Sequence, residues 1–233
     1  MRYTKTQKKK VNHLNQLLFQ KYGGQGWWPT TREPGKQPVY YPGKEGRRVS
    51  DIEAFEIIVG SILTQNNTWS NTEKAIMNLS TLNLLDVRHM MEADPQTMAS
   101  AIVSARYYNQ KSIRLIEIAK NLHKAGGIKT LRKVSTEELR KILLSFTGIG
   151  KETADSILCY AFSREIFVVD TYTSRLFQRL DLPCSSYEEI QNLVHCSIKP
   201  SAAEYGDLHA RIVKLSATGD VKTFSMESNA KSE

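Results

Sequence analysis

Cysteine is scarce in this chain, and its spacing argues against two common scaffolds of small domains. The 233 residues include three cysteines, Cys159, Cys184 and Cys196, and no two of them form a C-x-x-C pair. Neither a zinc site nor a disulfide framework is therefore predicted. The five histidines are scattered without the spacing of metal ligands. The thiols are expected to be reduced, as is usual in the cytosol.

Long apolar runs are absent as well. No segment approaches the roughly 20 consecutive apolar residues that a membrane-spanning helix needs. The first 14 residues are basic, but they lack the apolar stretch of a signal peptide. These two absences predict a cytoplasmic protein that does not bind a membrane.

Negative charge is outweighed by positive charge. The chain has 32 lysines and arginines against 24 aspartates and glutamates, which gives a formal net charge of +8. This excess favours a polyanionic partner, although a merely basic soluble protein would have the same composition. The length suits one large or two small domains, and a hydrophobic content of 40% is enough for a packed core.

The hydrophobic pattern predicts an all-α protein without a convincing strand. The apolar run 166–169 is short and isolated, and the segment 23–48 is a loop rich in glycine and proline. Ser50 and Glu53 have the spacing of a capping box at a helix start. The tail 219–233 is polar and is expected to fray. Apolar residues recur at helical spacing in 5–21, 50–63, 68–79, 82–91, 113–122, 135–146, 172–180, 187–198 and 202–217.

The stretch 143–175, LLSFTGIGKETADSILCYAFSREIFVVDTYTSR, contains the residues with the clearest chemical potential. Gly148 and Gly150 permit positive φ and the close approach of another molecule. The helix that begins at about Lys151 presents N–H groups that suit a phosphate. Asp170 follows an apolar run, so it is either a desolvated functional carboxylate or a helix N-cap.

This stretch resembles the helix-hairpin-helix and Gly/Pro-Asp signature of the endonuclease III superfamily of DNA glycosylases. GIGKETAD matches the hairpin, and VDTYTSR matches the segment that carries the catalytic aspartate. The resemblance implies two helical domains with a cleft between them and the hairpin beside the cleft. Residues 50–164 would form a six-helix domain ending in the hairpin, and residues 1–49 with 165–233 would form the second.

The resemblance also implies roles for individual residues. Asp170 would be catalytic and would lie at the mouth of the cleft. Gln65, with Asn66 beside it, matches the place where family members insert a side chain into the duplex and fill the gap left by an extruded base. Carbonyl groups of Leu144, Phe146 and Ile149 are candidate ligands for a monovalent cation. The expected contacts to the DNA backbone are Thr147, Gly148, Ile149, Gly150, Lys151 and Thr153.

Two departures from the family pattern narrow the expected activity. Glu152 occupies the position where bifunctional members have the lysine that cleaves the strand. Lys151 is one residue earlier, which rotates a helical side chain by about 100°. A glycosylase without lyase activity is therefore expected. No cysteine follows Cys196, so the iron–sulfur cluster of many members is expected to be absent.

Local sequences are similar to those of the bacterial 3-methyladenine DNA glycosylase III group. The shared segments are GIGKETADSILCYA, Trp-Trp-Pro, LTQN and YYNQK. The similarity implies a monomer of the bacterial nucleoid that excises an alkylated purine from double-stranded DNA. Trp28 and Trp69 are the candidate walls of the base pocket, with Trp27 packed behind them, because aromatic rings attract cationic bases.

Two alternatives stay open from the sequence. The enzyme could act instead on mismatched thymine or uracil, or on an oxidised purine. The chain could also be a non-catalytic DNA-binding module, since helix-hairpin-helix elements occur in proteins that only bind the backbone. Asp170 in register with the hairpin favours an enzyme. Arg211 and the loop 30–48 are left without an assigned role.

Overall fold

The computed structural model describes residues 3–226, and every regular element in that range is helical. The contacts of β type within it are limited to an isolated bridge between Thr30 and Val39. The predicted all-α class is confirmed, and residues 227–233 of the expected frayed tail lie outside the described range. The helices are α1 (Lys5–Tyr22), α2 (Asp51–Leu63), α3 (Trp69–Thr81), α4 (Val87–Met91), α5 (Pro95–Ala101), α6 (Tyr108–Lys124), α7 (Gly127–Leu131), α8 (Thr136–Leu144), α9 (Lys151–Ser156), α10 (Thr171–Arg179), α11 (Tyr187–Ser197) and α12 (Ala202–Ala217).

Two short helical turns accompany these elements. A π-helical turn at Ile157–Ala161 continues α9, and a 3₁₀ turn at Asp220–Lys222 follows α12. The sequence does not predict the π turn, because its five residues are all buried and show no distinctive pattern.

Polar side chains fix several helix starts. The Ser50 hydroxyl accepts the N–H of Glu53, whose carboxylate accepts the N–H of Ser50 in return, so the predicted capping box is confirmed. Asp86 caps α4 in a similar way by accepting the N–H groups of Arg88 and His89. Each such cap stabilises its helix by about 1 kcal/mol.

The predicted helix over 82–91 is wrong in its first half. Asn83 has a φ of 56°, in the left-handed region that ends a helix, and α4 begins only at Val87. The pair Gly126-Gly127 follows α6. Both glycines have positive φ, and the short helix α7 starts from them.

The chain divides into two compact units. The middle unit comprises residues 28–41 and 47–164, and the split unit comprises residues 1–27, 42–46 and 165–233, as far as these are described. The predicted domain bounds differ from this division at 28–41 and 47–49, which pack with the middle unit. The predicted cleft and the placement of the hairpin beside it stay predictions.

The middle unit is organised around α2, whose last ten residues, 54–63, are all buried. This helix contacts the π turn and α3. Part of the unassigned loop 30–48 also packs on it. Oε1 of Glu56 accepts both the N–H and the hydroxyl of Thr31 at 2.8 Å, and the hydroxyl of Thr30 donates to Glu53 at 2.9 Å.

The split unit packs α1 against α11 and α12. Its core includes Leu14, Leu18, Phe167 and Phe177, all fully buried. Arg211 belongs to this core, with 2% exposure. Its guanidinium pairs with Asp207 at 2.9 Å and donates to the Asn15 carbonyl at 2.8 Å. Arg211 therefore links α12 to α1 and has a structural role inside this unit.

Side chains replace a sheet for the extended segment that leads to Asp170. The N–H of Phe167 donates to Nε2 of His195 at 2.9 Å, and its carbonyl accepts from Nε2 of Gln191 at 2.7 Å. Buried main-chain groups must find hydrogen-bond partners. Two residues of α11 meet that requirement here, so the apolar run 166–169 can be buried without forming a strand.

Candidate active site and nucleic-acid interface

The hairpin of the middle unit joins α8 to α9 through a tight glycine turn. The carbonyl of Phe146 accepts the N–H of Ile149 at 3.1 Å, and both side chains are buried. Gly148 has a φ of +86°, which disfavours any residue with a Cβ atom. A Cβ atom there would also collide with the side chain of Arg114. The buried side chains of Phe146 and Ile149 anchor the turn, while Thr147 is exposed.

The start of α9 has the features expected of a phosphate-binding helix terminus. Gly150 is its N-cap and provides no side-chain capping bond. The exposed residues of the first turn are Lys151 and Glu152. The N-terminal end of a helix attracts anions, so the chemistry of this terminus suits a phosphate group. The predicted backbone contacts of residues 147–151 and Thr153 stay predictions.

A two-point ion pair fixes the relative placement of α8 and α9. Arg140 on α8 donates from Nε to Oδ1 of Asp155 at 2.6 Å, and from Nη2 to Oδ2 at 3.1 Å. The Asp155 side chain is fully buried on α9. Paired hydrogen bonds of this kind restrict orientation as well as distance. The hairpin is therefore presented by two helices that cannot rotate independently without breaking the pair.

The polar loop after α2 contacts the hairpin through Gln65. Its Nε2 donates to the Gly148 carbonyl and to the Thr153 hydroxyl, both at 3.0 Å. Its Oε1 accepts from Nη1 of Arg114 at 3.0 Å. The next residue, Asn66, is exposed and has a φ of 51°. The predicted entry of Gln65 and Asn66 into DNA stays a prediction, and sequence reasoning did not reveal these hairpin contacts.

Lys111 supports the same loop from α6. Its buried ammonium donates to the carbonyls of Leu63 and Gln65, both at 2.8 Å. Burial, aided by the nearby charge of Arg114, lowers the pKa of Lys111 to about 8. The lysine thus stabilises carbonyl groups at the end of α2 that no helical N–H can reach.

Asp170 of the split unit is an almost fully buried helix N-cap. Its Oδ1 accepts the N–H of Thr173 at 2.7 Å, and its Oδ2 lies 3.5 Å from Nε2 of His209 on α12. Burial disfavours the charged carboxylate, but the hydrogen bonds from His209 and Thr173 outweigh it and hold the pKa of Asp170 below its usual value. The group is therefore an anion at neutral pH, with 10% of its side chain exposed.

His209 is a site residue that the sequence analysis missed. A lone histidine on an amphipathic helix has no spacing signal, and more than thirty residues separate it from Asp170 in the chain. Its relevance follows only from the folded distance between the two side chains.

An aromatic cluster lies in the middle unit. The rings of Trp28 and Trp69 are 5.6 Å apart and nearly perpendicular, and Tyr160 lies 5.5 Å from Trp28. Trp69 donates from Nε1 to the carboxylate of Glu73 at 2.7 Å. The structure therefore brings the two predicted pocket tryptophans together and adds Tyr160 and Glu73. Trp27 falls in the split unit, and its predicted role stays a prediction.

The part of the chain that the structure describes contains no cluster of metal-ligating side chains. Within 3–226 no group of three or more histidine, cysteine or acidic residues could hold a metal ion. The predicted monovalent cation at the hairpin carbonyls stays a prediction. Across the same range, no helix has the length and apolar character required to traverse a bilayer.

Comparison with known proteins places the hairpin and Asp170 inside a shared segment. The model of the HhH-GPD superfamily base excision DNA repair proteins matches residues 59–200, more than half of the chain. A protein of Methanocaldococcus jannaschii that is named as a DNA repair glycosylase is 35% identical over 209 residues, which cover 88% of this chain and 86% of that protein.

Solved structures share the fold over nearly the whole chain. A 3-methyladenine DNA glycosylase of H. pylori bound to 1,N6-ethenoadenine aligns with a TM-score of 0.69 at 24% identity, over 91% of this chain and 98% of that one. A thermostable thymine-DNA glycosylase aligns with a TM-score of 0.65 at 17% identity, over 91% and 87% respectively. At these identities the structural similarity establishes the fold alone.

Proposed function

Because the chain belongs to the HhH-GPD superfamily of base excision DNA repair proteins, as its hairpin predicted, we propose that it is a monofunctional glycosylase for alkylated purines. The coarser assignment, a DNA glycosylase of base excision repair, follows from the family. The proposed reaction is hydrolysis of the N-glycosidic bond of a base such as 3-methyladenine in double-stranded DNA. The enzyme would act as a monomer.

The buried anion at Asp170 is the observation that carries the proposal. Breaking an N-glycosidic bond builds positive charge on the sugar, and a fixed carboxylate stabilises that charge. The same oxygen atoms can orient or deprotonate the attacking water. Hydrogen bonds from Thr173 and His209 hold this carboxylate ionised and restrict its orientation. A protein that only binds the DNA backbone has no use for such a group.

The aromatic cluster supports an alkylated purine as the substrate. Alkylation gives a purine positive charge and weakens its bond to the sugar, so it leaves without a second acid. Aromatic faces attract such a cation by about 0.5–2 kcal/mol. Trp28 and Trp69 provide these faces, and the Glu73 carboxylate beside Trp69 adds negative charge. The base must leave the stack to reach any such pocket.

Glu73 also favours a second candidate substrate. A carboxylate oxygen can accept the N3–H group of uracil or thymine, which lacks a positive charge and is a poorer leaving group. A pocket that uses Glu73 in this way would select a mismatched pyrimidine.

A set of duplexes, each with a single modified base, tests the proposal. We expect wild-type protein to release 3-methyladenine or 7-methylguanine and to leave uracil, thymine opposite guanine, and 8-oxoguanine in place. Release of a mismatched pyrimidine without any alkylated base would refute the alkylpurine assignment and support the second candidate.

The absence of lyase activity is a separate proposal that rests on Glu152. This exposed residue of the first turn of α9 has no amine to form a Schiff base with the sugar. We expect wild-type protein to leave a duplex with an abasic site intact and to form no borohydride-trapped adduct, whereas Glu152→Lys should form one. Trapping by the wild-type protein would contradict the proposal.

An iron-free preparation, without visible absorbance, is expected because no cysteine follows Cys196.

A further inference from the structure

Glu73 is a half-buried carboxylate that contacts the aromatic cluster through one hydrogen bond. It follows Trp69 by one turn of α3, and its Oε1 accepts the indole N–H of Trp69 at 2.7 Å. Residues four apart lie on one face of a helix, so this bond forms within a single element. Within residues 3–226, no lysine or arginine forms an ion pair with Glu73. The charge beside the indole is therefore not neutralised by a neighbouring cation.

Tyr40 lies near the same carboxylate but adds no second charge. Burial and the negative charge of Glu73 raise the pKa of Tyr40 to about 12, although a hydrogen bond with Trp69 acts in the opposite direction. The phenol is therefore neutral near pH 7. The negative charge next to Trp69 thus comes from Glu73.

The rings beside Glu73 are held by close packing. Trp28 is buried against Gly60 of α2, where an added Cβ atom would lie 3.0 Å from the Trp28 ring. The rings of Trp28 and Trp69 meet nearly at right angles, with 5.6 Å between their centroids. Trp69 itself is only partly buried. A planar base that reaches this cluster therefore meets an indole whose position is already set.

The hydrogen bond to Glu73 changes the electrostatics of the Trp69 ring. The face of an aromatic ring is negative and attracts cations. Hydrogen bonds to an ionised group are stronger than neutral ones, and hydrogen-bonded groups polarise one another. A carboxylate that accepts the indole N–H therefore shifts electron density toward the ring and makes its face more negative. The attraction for a cation increases, while the attraction for a neutral molecule of the same shape does not.

We propose that Glu73 is a positioning residue that sets the charge selectivity of the site through Trp69, in favour of positively charged bases over neutral bases of the same shape. This inference rests on the proposed function, because it names the residue that recognises the charge of an alkylated purine. One oxygen of Glu73 is already occupied by the indole N–H. Glu73 therefore acts on the base through the ring and not by direct contact.

Two duplexes that differ only in the charge of one base test this role. One contains 7-methylguanine, which is a cation, and the other contains 7-deaza-7-methylguanine, which has the same shape and is neutral. Both are bound to Asp170→Asn protein, which lacks the proposed catalytic charge, so that the bases stay attached. Each Kd is measured by fluorescence anisotropy, and the ratio of the two Kd values reports the charge selectivity.

Glu73→Gln is the test substitution in this background. Its amide oxygen can still accept the indole N–H, while the negative charge is gone. Glu92→Gln is the matched control, because Glu92 is an exposed glutamate at the end of α4 and its substitution removes the same charge from the protein.

We expect the protein with Glu73 to bind the charged duplex roughly tenfold more tightly than the neutral one. Glu73→Gln should reduce this ratio by about threefold or more and keep the Kd of the neutral duplex within about twofold. Glu92→Gln should leave the ratio unchanged. A smaller reduction in Glu73→Gln would overturn the inference. Equal weakening of both duplexes would also overturn it, since Glu73 would then only hold Trp69 in place.

Trp69→Phe tests whether the effect passes through the indole. Phenylalanine keeps an aromatic face but has no N–H group for Glu73, so adding Glu73→Gln to Trp69→Phe should change the ratio by less than about twofold. A reduction as large as that in the protein with Trp69 would show that Glu73 acts directly on the base, and would overturn the inference.

A failure of the proposed function would give a different result. If the protein with Glu73 bound the charged and neutral duplexes equally, the alkylpurine assignment and the role of Glu73 would both be wrong. Selectivity that is present with Glu73 and fully retained in Glu73→Gln would remove only the role of Glu73 and leave the assignment in place.

Discussion

Asp170 has two tasks at one position. It caps α10 through Thr173, and its other oxygen faces His209. Aspartate and asparagine are about equally good helix caps, while only aspartate provides a negative charge. A substitution to asparagine can therefore separate the two tasks, because it removes the negative charge and keeps the shape of the side chain.

We predict that Asp170→Asn loses base release by roughly 10²–10⁴-fold, the usual contribution of a positioned acid or base, and keeps its DNA affinity and its helix cap. Asp170→Ala should lose the activity and also about 1 kcal/mol of stability, because the cap is gone. Single-turnover release and urea unfolding measure both. Activity of Asp170→Asn at the wild-type rate would remove Asp170 from the mechanism.

The acid limb of the reaction gives a second prediction for this residue. The pKa of Asp170 is held below its usual value of 3.8, so the carboxylate stays charged as the pH falls through that value. Its contribution to stability and to base release is present above pH 3.8 and is lost only below it. A pH–rate profile with an acid limb centred above pH 5 would contradict this assignment.

Single residues also show how much of the candidate site could be predicted from the sequence. Asp170 could be selected as a candidate from the sequence because hairpin, helix and aspartate lie in register along the chain. His209, Tyr160 and Glu73 could not, since each acts through a distance that only folding creates. Gln65 was predicted from its place in the chain, but its bonds to Gly148 and Thr153 depend on the packing of three separate elements.

At the scale of elements, the packing of the two hairpin helices, α8 and α9, depends on an ion pair with a buried carboxylate. Asp155 is fully buried, and Arg140 meets it with two hydrogen bonds. Removing one partner of such a pair leaves an uncompensated charge inside the protein, whereas removing both is far less costly.

We predict that Arg140→Met lowers the free energy of unfolding by about 3–5 kcal/mol, because the Asp155 carboxylate loses its guanidinium. The double variant Arg140→Met, Asp155→Asn should recover a large part of that loss. Urea denaturation of both proteins checks this. A double variant no more stable than the single one would show that the ion pair is not the source of the effect.

The helix α2 contains a buried acid that makes stability depend on pH. Burial raises the pKa of Glu56 to about 7, against hydrogen bonds from Thr31 that lower it. The protonated acid thus contributes stability that is complete below the unfolded value of 4.5 and is lost as the pH rises through about 7.

We predict that Glu56→Gln removes this dependence, since its amide oxygen can still accept from Thr31 and carries no charge. Relative to wild type, the variant should gain roughly 3 kcal/mol in unfolding free energy between pH 4.5 and pH 8, since the pKa of Glu56 is about 7 in the folded protein and about 4.5 in the unfolded one. Parallel urea titrations at both pH values measure the difference. If the unfolding free energies of the two proteins changed by the same amount between the two pH values, Glu56 would be excluded as a titrating group.

Element boundaries were predicted well where caps are explicit, as at Ser50. They failed where a residue other than glycine takes a positive φ, as at Asn83, because such a conformation is set by the neighbouring packing. The division of the loop 28–49 between two units had no sequence signal either. Its contacts to α2 include hydrogen bonds from Thr30 and Thr31, ordinary loop residues in the sequence.

At the scale of the whole molecule, the net charge of +8 shapes association with DNA. Binding to phosphates releases counterions, so the logarithm of the association constant falls linearly with the logarithm of the salt concentration. The slope is roughly −0.9 for each phosphate neutralised.

We predict that Lys151→Ala reduces the magnitude of this slope by about 1, because it removes one cation at the hairpin terminus. Lys120→Ala serves as the control, since Lys120 is paired with Glu117 at 2.9 Å, and it should leave the slope at its wild-type value. Anisotropy titrations between low and moderate salt measure both. Equal slopes for all three proteins would exclude Lys151 from phosphate contact.

The hydrogen bonds that Gln191 and His195 make to the main chain of Phe167 have a consequence for inheritance rather than for chemistry. The extended segment that leads to Asp170 depends on α11 for its conformation. We therefore expect a random screen for variants without activity to recover substitutions in α11 as well as at Asp170. The mutational footprint of the activity is therefore expected to include residues of α11 that support Asp170 only through the main chain of Phe167.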